Sequence, residues 1–346
     1  MVRYIIKRIL LALVSLFILL TLVYLLVASF SKNPFTATSP DGAEQLAQAN
    51  GLKDPILVRY AHYLKDFFTF NFGKIYVPEG IDYIPTMFFL PLRWTLLITV
   101  PSFIISLVIG VFLGILAGYK RGTWVDTTIN LFVVIFIGLP SFVIAPIMLL
   151  IANKSHGLII SEFLLPETNG WWMTIKSTIL PIVTITLGSL AGYTILVRNQ
   201  IVSTLTSNHV LIARSKGLTQ WEIFWKHVIR NIMIPLISYV VPSFIILLSG
   251  NVIIEQFFRV PGTSSVIIQA FPNGEINVVM FSIFFFSALA MLGQIILDIS
   301  YIFIDPKIKY FEQGRISWSK VLINKLIREH NYREVQKQSN QKGGNK

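Results

Sequence analysis

"ARSKGLTQWEIFWKHVIRNIMIP", residues 213–235, gathers Arg214, Lys216, Lys226, His227 and Arg230 in a chain that is otherwise largely apolar. Gly217 divides the stretch. Glycine tolerates the left-handed conformation at a helix C-terminus, so one short helix is expected to stop there. Two residues later Thr219 and Glu222 form the T-x-x-E capping box that starts another. In that second helix Trp221, Phe224, Trp225, Val228, Ile229 and Ile232 recur at three- and four-residue steps, leaving Lys226, His227 and Arg230 displaced around the cylinder. The expectation is a short, hinged, basic helical elbow whose apolar stripe packs under neighbouring helices or at a membrane surface. Basic amphipathic linkers also occur as mere connections, and residue physics alone leaves both readings open.

On either side of the elbow the chain is built for lipid. Apolar residues make up 54% of 346 and charged ones 13%, a composition foreign to ordinary soluble domains. Six charge-free runs, 9–31, 94–119, 127–153, 177–197, 231–254 and 276–297, each reach the roughly 20 residues a helix needs to cross about 30 Å of hydrocarbon. The fold class is therefore an all-α membrane protein with six transmembrane helices. The first run follows Arg3, Lys7 and Arg8 as a signal peptide's would, but it exceeds the roughly 7–15 residues of a signal core and is taken as an uncleaved span.

Lys and Arg set the orientation, because positive residues in short loops stay on the cytoplasmic side. Arg3, Lys7 and Arg8, then Lys120 and Arg121, then Arg198, Arg214, Lys216, Lys226 and Arg230, and finally the segment after Pro306, with ten basic residues against three acidic, all fall on one face of a six-span arrangement. Both termini are expected in the cytoplasm. The resulting layout is a first span at 1–31, an extracytoplasmic loop at 32–92, five further helices over 93–306 with the elbow region at about 199–233, and a basic cytoplasmic tail at 307–346.

Within the outer loop, "DPILVRYAHYLKDFF" (54–68) repeats apolar residues at helical spacing, as an amphipathic helix lying on the membrane or on its own protein does. Gly110, Gly114 and Gly118 form a small-xxx-small face in the second span, which lets two helix backbones approach closely. Pro101, Pro140, Pro146, Pro181, Pro235 and Pro242 punctuate the spans, where kinks are expected. The net charge of +12 resides mostly in the tail and suits anionic lipid headgroups; no nucleic acid partner is expected. Cysteine is absent and the five histidines lack ligand spacing, so no metal site is expected. No nucleophile and base pair off in the spans. No G-x-x-x-x-G-K-[ST] loop occurs either, so the chain has nothing to cradle ATP phosphates. It is not expected to be an enzyme or to bind a cofactor.

The order of residues in the elbow resembles the cytoplasmic loop motif of permease subunits of ATP-binding-cassette importers. Ala213 and Gly217 match its E-A-A, three residues, glycine pattern; Leu211 and Ile212 replace the first Glu and Ala, and Ile229-Arg230 stands where Leu-Pro is usual. The peptide-permease branch, with A-R-A-K-G-L, R-H-x-L-R-N and I-P, is closer to "ARSKGL", "KHVIRN" and "IP". "GYKRGTWVD" (118–126), "GLPSFVIA" (138–145), "EQFFRVPG" (255–262) and "ILDISYIFIDPKIKY" (296–310) are similar to further motifs of that branch, in order and at its spacing, and "FNFGKIY" (70–76) echoes a glycine motif of its first outer loop.

That resemblance implies the type I importer transmembrane fold in a bacterial cytoplasmic membrane. It implies that Ala213, Arg214, Ser215, Lys216, Gly217, Leu218, Thr219, Trp221 and Glu222 dock into a cytoplasmic ATPase. The implied partners are a second, homologous permease subunit, two ATPases that hold ATP and Mg, and an extracytoplasmic solute-binding protein. Oligopeptides are the implied substrate, with dipeptides, nickel chelates or glutathione as alternatives within the branch. Thr186, Ser189, Tyr193, Ser249, Asn251 and Gln294 in spans 4 to 6 are candidates for lining the path, and equally for hydrogen bonds between helices. An ion-driven carrier or channel is the alternative of a different class. It calls for an intramembrane charge relay or a repeated half, and neither is visible.

Overall fold

The structure, a computed structural model, describes residues 2–36, 40–76, 83–155, 157–304 and Arg328. The chain divides into two compact units, Met1–Leu297 and Asp298–Lys346; apart from Arg328, the tail expected at 307–346, with residues 305–310 of the motif at 296–310, lies outside the described residues. All regular structure among the described residues is helical. In order it comprises α1 (Val2–Phe30), a 3-10 turn (Pro34–Thr36), α2 (Ala43–Ala49), α3 (Ile56–Phe68), α4 (Ile84–Tyr119), α5 (Trp124–Gly138), α6 (Ser141–Lys154), α7 (Pro166–Leu205), α8 (Asn208–Ser215), α9 (Gln220–Ile223), a π-helical turn (Phe224–Ile229), α10 (Arg230–Gly250), α11 (Val252–Phe257), α12 (Thr263–Ala270) and α13 (Ile276–Ile304).

Five helical stretches, residues 4–36, 84–119, 166–205, 220–257 and 276–301, are long and apolar enough to cross a membrane. The third span expected at 127–153 is not one straight helix. α5 and α6 diverge by 100° at a break between them, and they make a sixth span only if taken together. The cause is local. Pro140 has no N–H to continue the ladder, and its ring pushes the preceding residue out of the helical region; Leu139 duly sits at φ −97°, ψ 103°. Pro91, Pro101, Pro146, Pro181, Pro235 and Pro242 instead lie inside helices that run on through them.

α4 and α7 form the central pair. Gly110, Gly114 and Gly118 sit against Tyr193, Val197 and Ile201, where an added Cβ would come within 2.7–2.9 Å of those side chains. The small face expected from sequence is thus a true close approach, and it fixes which side of α7 looks inward. Thr184 and Thr194 on that inward side donate to the carbonyls of Leu180 and Leu190, both at 2.8 Å, so their hydroxyls are satisfied within their own helix.

Two buried carboxylates tie loops to this frame. Glu255 accepts from the Thr95 hydroxyl at 2.6 Å, from the Ser264 backbone N–H at 3.1 Å and from the Ser264 hydroxyl. It therefore anchors the first turn of α12 to α4, and Gly262 leaves room for it because a Cβ there would strike the carboxylate. Glu275 accepts from the Tyr76 backbone N–H with both oxygens, at 2.9 and 3.0 Å, which pins that point of the long loop beside the start of α13. The amphipathic α3 lies on its own protein. Tyr63 stacks on Tyr24 of α1 with centroids 4.9 Å apart, and the Tyr60 hydroxyl meets Thr21 at 2.5 Å.

Candidate functional site

The elbow begins where α7 ends. Ser207 precedes α8, whose C-cap is Lys216, and Gly217 follows at φ +79°. Gly217 N–H donates to Arg214 O at 2.9 Å and Leu218 N–H to Ala213 O at 3.3 Å, the paired bonds of a Schellman end. A Cβ on Gly217 would meet nothing within 4 Å; glycine is required here for its dihedral, not for space. The capping box forms as the sequence indicates: Glu222 N–H donates to the Thr219 hydroxyl at 3.3 Å, and Thr219 N–H to Glu222 Oε2 at 3.0 Å. The Thr219 backbone N–H and hydroxyl, with Lys226 nearby, hold the Glu222 carboxyl below its ordinary range.

The second arm corrects the sequence reading. It is not a separate short helix, because α9 continues through the π-helical turn into α10. A π turn advances five residues where an α turn advances four. Ile223 and Val228, five apart, therefore both face inward and are fully buried, with Ile232 beside them. The anticipated stripe splits: Trp221 and Trp225 are left 69% and 53% exposed. Val197 and Ile201 of α7 and Val210 and Ala213 of α8 complete the core beneath the elbow. The Asn231 amide nitrogen lies 2.9 Å from His209 Nε2, bonding α10 to α8.

Of the nine residues predicted for docking, Ala213 and Leu218 turn toward that core. Arg214, Ser215, Lys216, Gly217, Thr219 and Trp221 are exposed, while Glu222 is half-exposed. Leu211 and Ile212, at 50% and 55% exposure, join them. The large apolar side chains left exposed on the elbow are therefore Leu211 and Ile212 on its first arm and the adjacent Trp221 and Trp225 on its second, with Arg214 and Lys216 also exposed.

A second anchor escaped sequence reasoning. Arg198, seven residues before the end of α7, donates Nε to Asp126 Oδ1 at 2.6 Å and Nη2 to Oδ2 at 2.8 Å. Gly122 N–H and the Asn130 amide, at 3.0 and 2.6 Å, complete the carboxylate's partners. Arg198, the largest influence, together with Gly122 and Asn130 lowers the Asp126 pKa to about 2. This bidentate pair joins the start of α5 to α7 just ahead of the elbow. The signal was present as Asp126 in "GYKRGTWVD", but nothing in the sequence pairs it with Arg198.

Between the α5–α6 bend, α7 and α10 lies a cleft of about 620 Å³. Of the six predicted path residues, Ser189, Tyr193 and Asn251 line it and Thr186, Ser249 and Gln294 do not. Thr186 is buried with its hydroxyl unpartnered among the described residues, Ser249 donates to Ile245 O at 2.9 Å within its own helix, and Gln294 is exposed on α13. Asn251 also donates to the Thr99 hydroxyl at 2.9 Å, and the Tyr193 hydroxyl lies 2.6 Å from that of Ser243, so these residues bridge helices while facing the cleft. Ser238, Tyr239 and Ser243 of α10 line it as well. They were missed because single hydroxyls on an apolar helix carry no period of their own.

Residues 110–310 match the family described as "Binding-protein-dependent transport system inner membrane component", and residues 1–82 match "Binding-prot-dependent transport system membrane comp, N-term". The oligopeptide transport system permease protein OppB of Mycoplasma genitalium is 32% identical over 92% of this chain and 79% of its own length. The dipeptide transport system permease protein DppB of Lactococcus lactis is 29% identical over 89% of this chain and 100% of its own. OppB of Salmonella typhimurium is 29% identical over 90% of this chain and 100% of its own.

Proposed function

The chain belongs to the family of binding-protein-dependent transport system inner membrane components, and from that premise we propose that it is the membrane-spanning permease subunit of an ATP-driven oligopeptide importer. The observation that carries this reading is the elbow's outer surface. Four large apolar side chains, Leu211, Ile212, Trp221 and Trp225, stand exposed on a segment bonded to both α7 and α10. Exposed aromatic anchors and an exposed Arg are the composition of a protein-binding hot spot, and a joint to two spans turns a push at that surface into their movement.

Both termini and the elbow lie in the cytoplasm, and residues 32–92 lie outside. Two ATPase subunits bind ATP and Mg, grip the elbow and supply the energy; this chain holds no cofactor and performs no chemistry. With a second, homologous permease subunit it encloses a path that opens alternately to each side, and an extracytoplasmic binding protein delivers peptide to it. The cleft beside Ser189, Tyr193 and Asn251 is this chain's share of the path, its hydroxyls and amide offering bonds to a peptide backbone. The names of the relatives support peptides over nickel chelates or glutathione.

Affinity purification of the intact chain from its native membrane is expected to bring down an ABC-type ATPase, and vesicles holding the complex are expected to take up peptide only with ATP. Uptake that continues undiminished without nucleotide would favour an ion-driven carrier and overturn the reading.

A further inference from the structure

The region built from residues 24–76 and the start of α13 holds a second cavity, of about 290 Å³, which shares no lining residue with the cleft. That volume is close to the lower bound of about 300 Å³ for small-molecule sites. Its walls are fixed. Tyr24 stacks on Tyr63, Glu275 holds the Tyr76 backbone, and the Asn277 amide donates to Lys74 O at 2.9 Å. Gly73, at φ +85°, passes so close to Asn277 that a Cβ would come within 2.5 Å of its amide nitrogen.

Charge distinguishes this cavity. Arg59 and Asp66 of α3, both half-buried, line the space together with Asp54, His62 and Lys74, which are exposed. The ion pairs formed among the described residues join Lys53 to Glu44, Arg93 to Glu167, Arg198 to Asp126, Lys226 to Glu222 and Arg259 to Glu162. None of them includes Arg59, Asp54 or Asp66. Arg59 lies beside the Tyr24 hydroxyl, an uncharged neighbour. Charges drawn partly out of water without a counter-charge are costly, and here charges of both signs face one hollow. Arg59 and Asp66 stand seven residues apart on α3, about 10 Å along its axis, too far to satisfy one another directly. An extended peptide advances about 3.5 Å per residue, so a peptide of about three residues spans that interval.

We propose that this cavity binds a short zwitterionic peptide, its free carboxylate at Arg59 and its free ammonium at Asp66, as a site separate from the cleft. The ligand class rests on the importer reading; the arrangement of charges does not.

The test uses the full-length chain in lipid nanodiscs and a diazirine-bearing trialanine with free termini, photolysed and mapped by mass spectrometry. Saturable labelling is expected within residues 50–76, displaced by trialanine but not by N-acetyl-trialanine amide. Arg59→Met and Asp66→Asn should each lower labelling there at least tenfold while leaving labelling of the cleft unchanged. Labelling confined to the cleft, or equal displacement by the blocked peptide, overturns the proposal. The wild-type map decides the matter even if neither variant folds. ATP-driven uptake measured in parallel separates the two readings. Uptake without labelling at 50–76 removes this site alone, whereas labelling without ATP-driven uptake keeps the site and removes the importer.

Discussion

Gly217 shows how one residue can serve a fold without packing against anything. Its surroundings are open and its φ is +79°, so Gly217→Ala should cost about 1 kcal/mol through left-handed strain alone and leave the protein in the membrane. Gly217→Trp places bulk on the proposed docking surface as well. In the assembled complex it is expected to retain ATP hydrolysis while uptake falls at least tenfold, as measured in paired ATPase and transport assays; unimpaired uptake would remove the coupling role. Asp126 is the opposite case, a carboxylate held by four donors. Its pKa is lowered to about 2 from an ordinary 3.8, so its stabilising contribution is complete above pH 4 and is lost as pH falls from about 4 to 2. Asp126→Asn leaves Arg198 without its counter-charge, which should cost about 3 kcal/mol, read as a lower melting temperature in detergent. It should also flatten the loss of wild-type stability over that acidic range.

Among the elements, α4 and α7 decide whether anything else can form. Gly114→Leu would drive a side chain into Val197 and the Thr194 carbonyl, where even a Cβ comes within 2.7–2.8 Å. Overpacking of this kind costs about 3 kcal/mol, and fluorescence-detected size exclusion is expected to show little monodisperse protein, whereas Gly138→Ala, with open space around it, should behave as wild type. The small-residue face was legible because its period of four is a local property of α4. The Schellman end and capping box were legible for the same reason. Two features were not. The divergence of α5 and α6 needed knowledge of which proline sits between helices and which sits within one, and Pro140 and Pro146 look alike in sequence. The π turn was hidden because Trp221, Phe224, Trp225 and Val228 also fit an α period, and only burial of Ile223 and Val228 together reveals the extra residue.

For the whole molecule, the legible part was the order of apolar segments, five of which are single long helices and the sixth a bent pair, because lipid imposes that order on composition; the illegible part was long-range pairing. Asp126 with Arg198, Glu255 with Thr95 and Glu275 with Tyr76 join residues separated by 72 to 199 positions, and no local pattern announces them. They make the loops rigid with the spans, and rigidity is what the coupling account requires. Because the chain has no cysteine, its contacts can be mapped one introduced thiol at a time. The most direct measurement is disulfide or short-spacer crosslinking in the native complex from Leu211→Cys, Trp221→Cys and, as a buried control, Val210→Cys. The exposed pair is expected to link to the ATPase, with a yield that changes on adding ATP, and the buried control is expected to stay silent. If Leu211→Cys and Trp221→Cys react only with lipid-borne reagents or with this chain's own helices, the elbow is not the handle by which transport is driven.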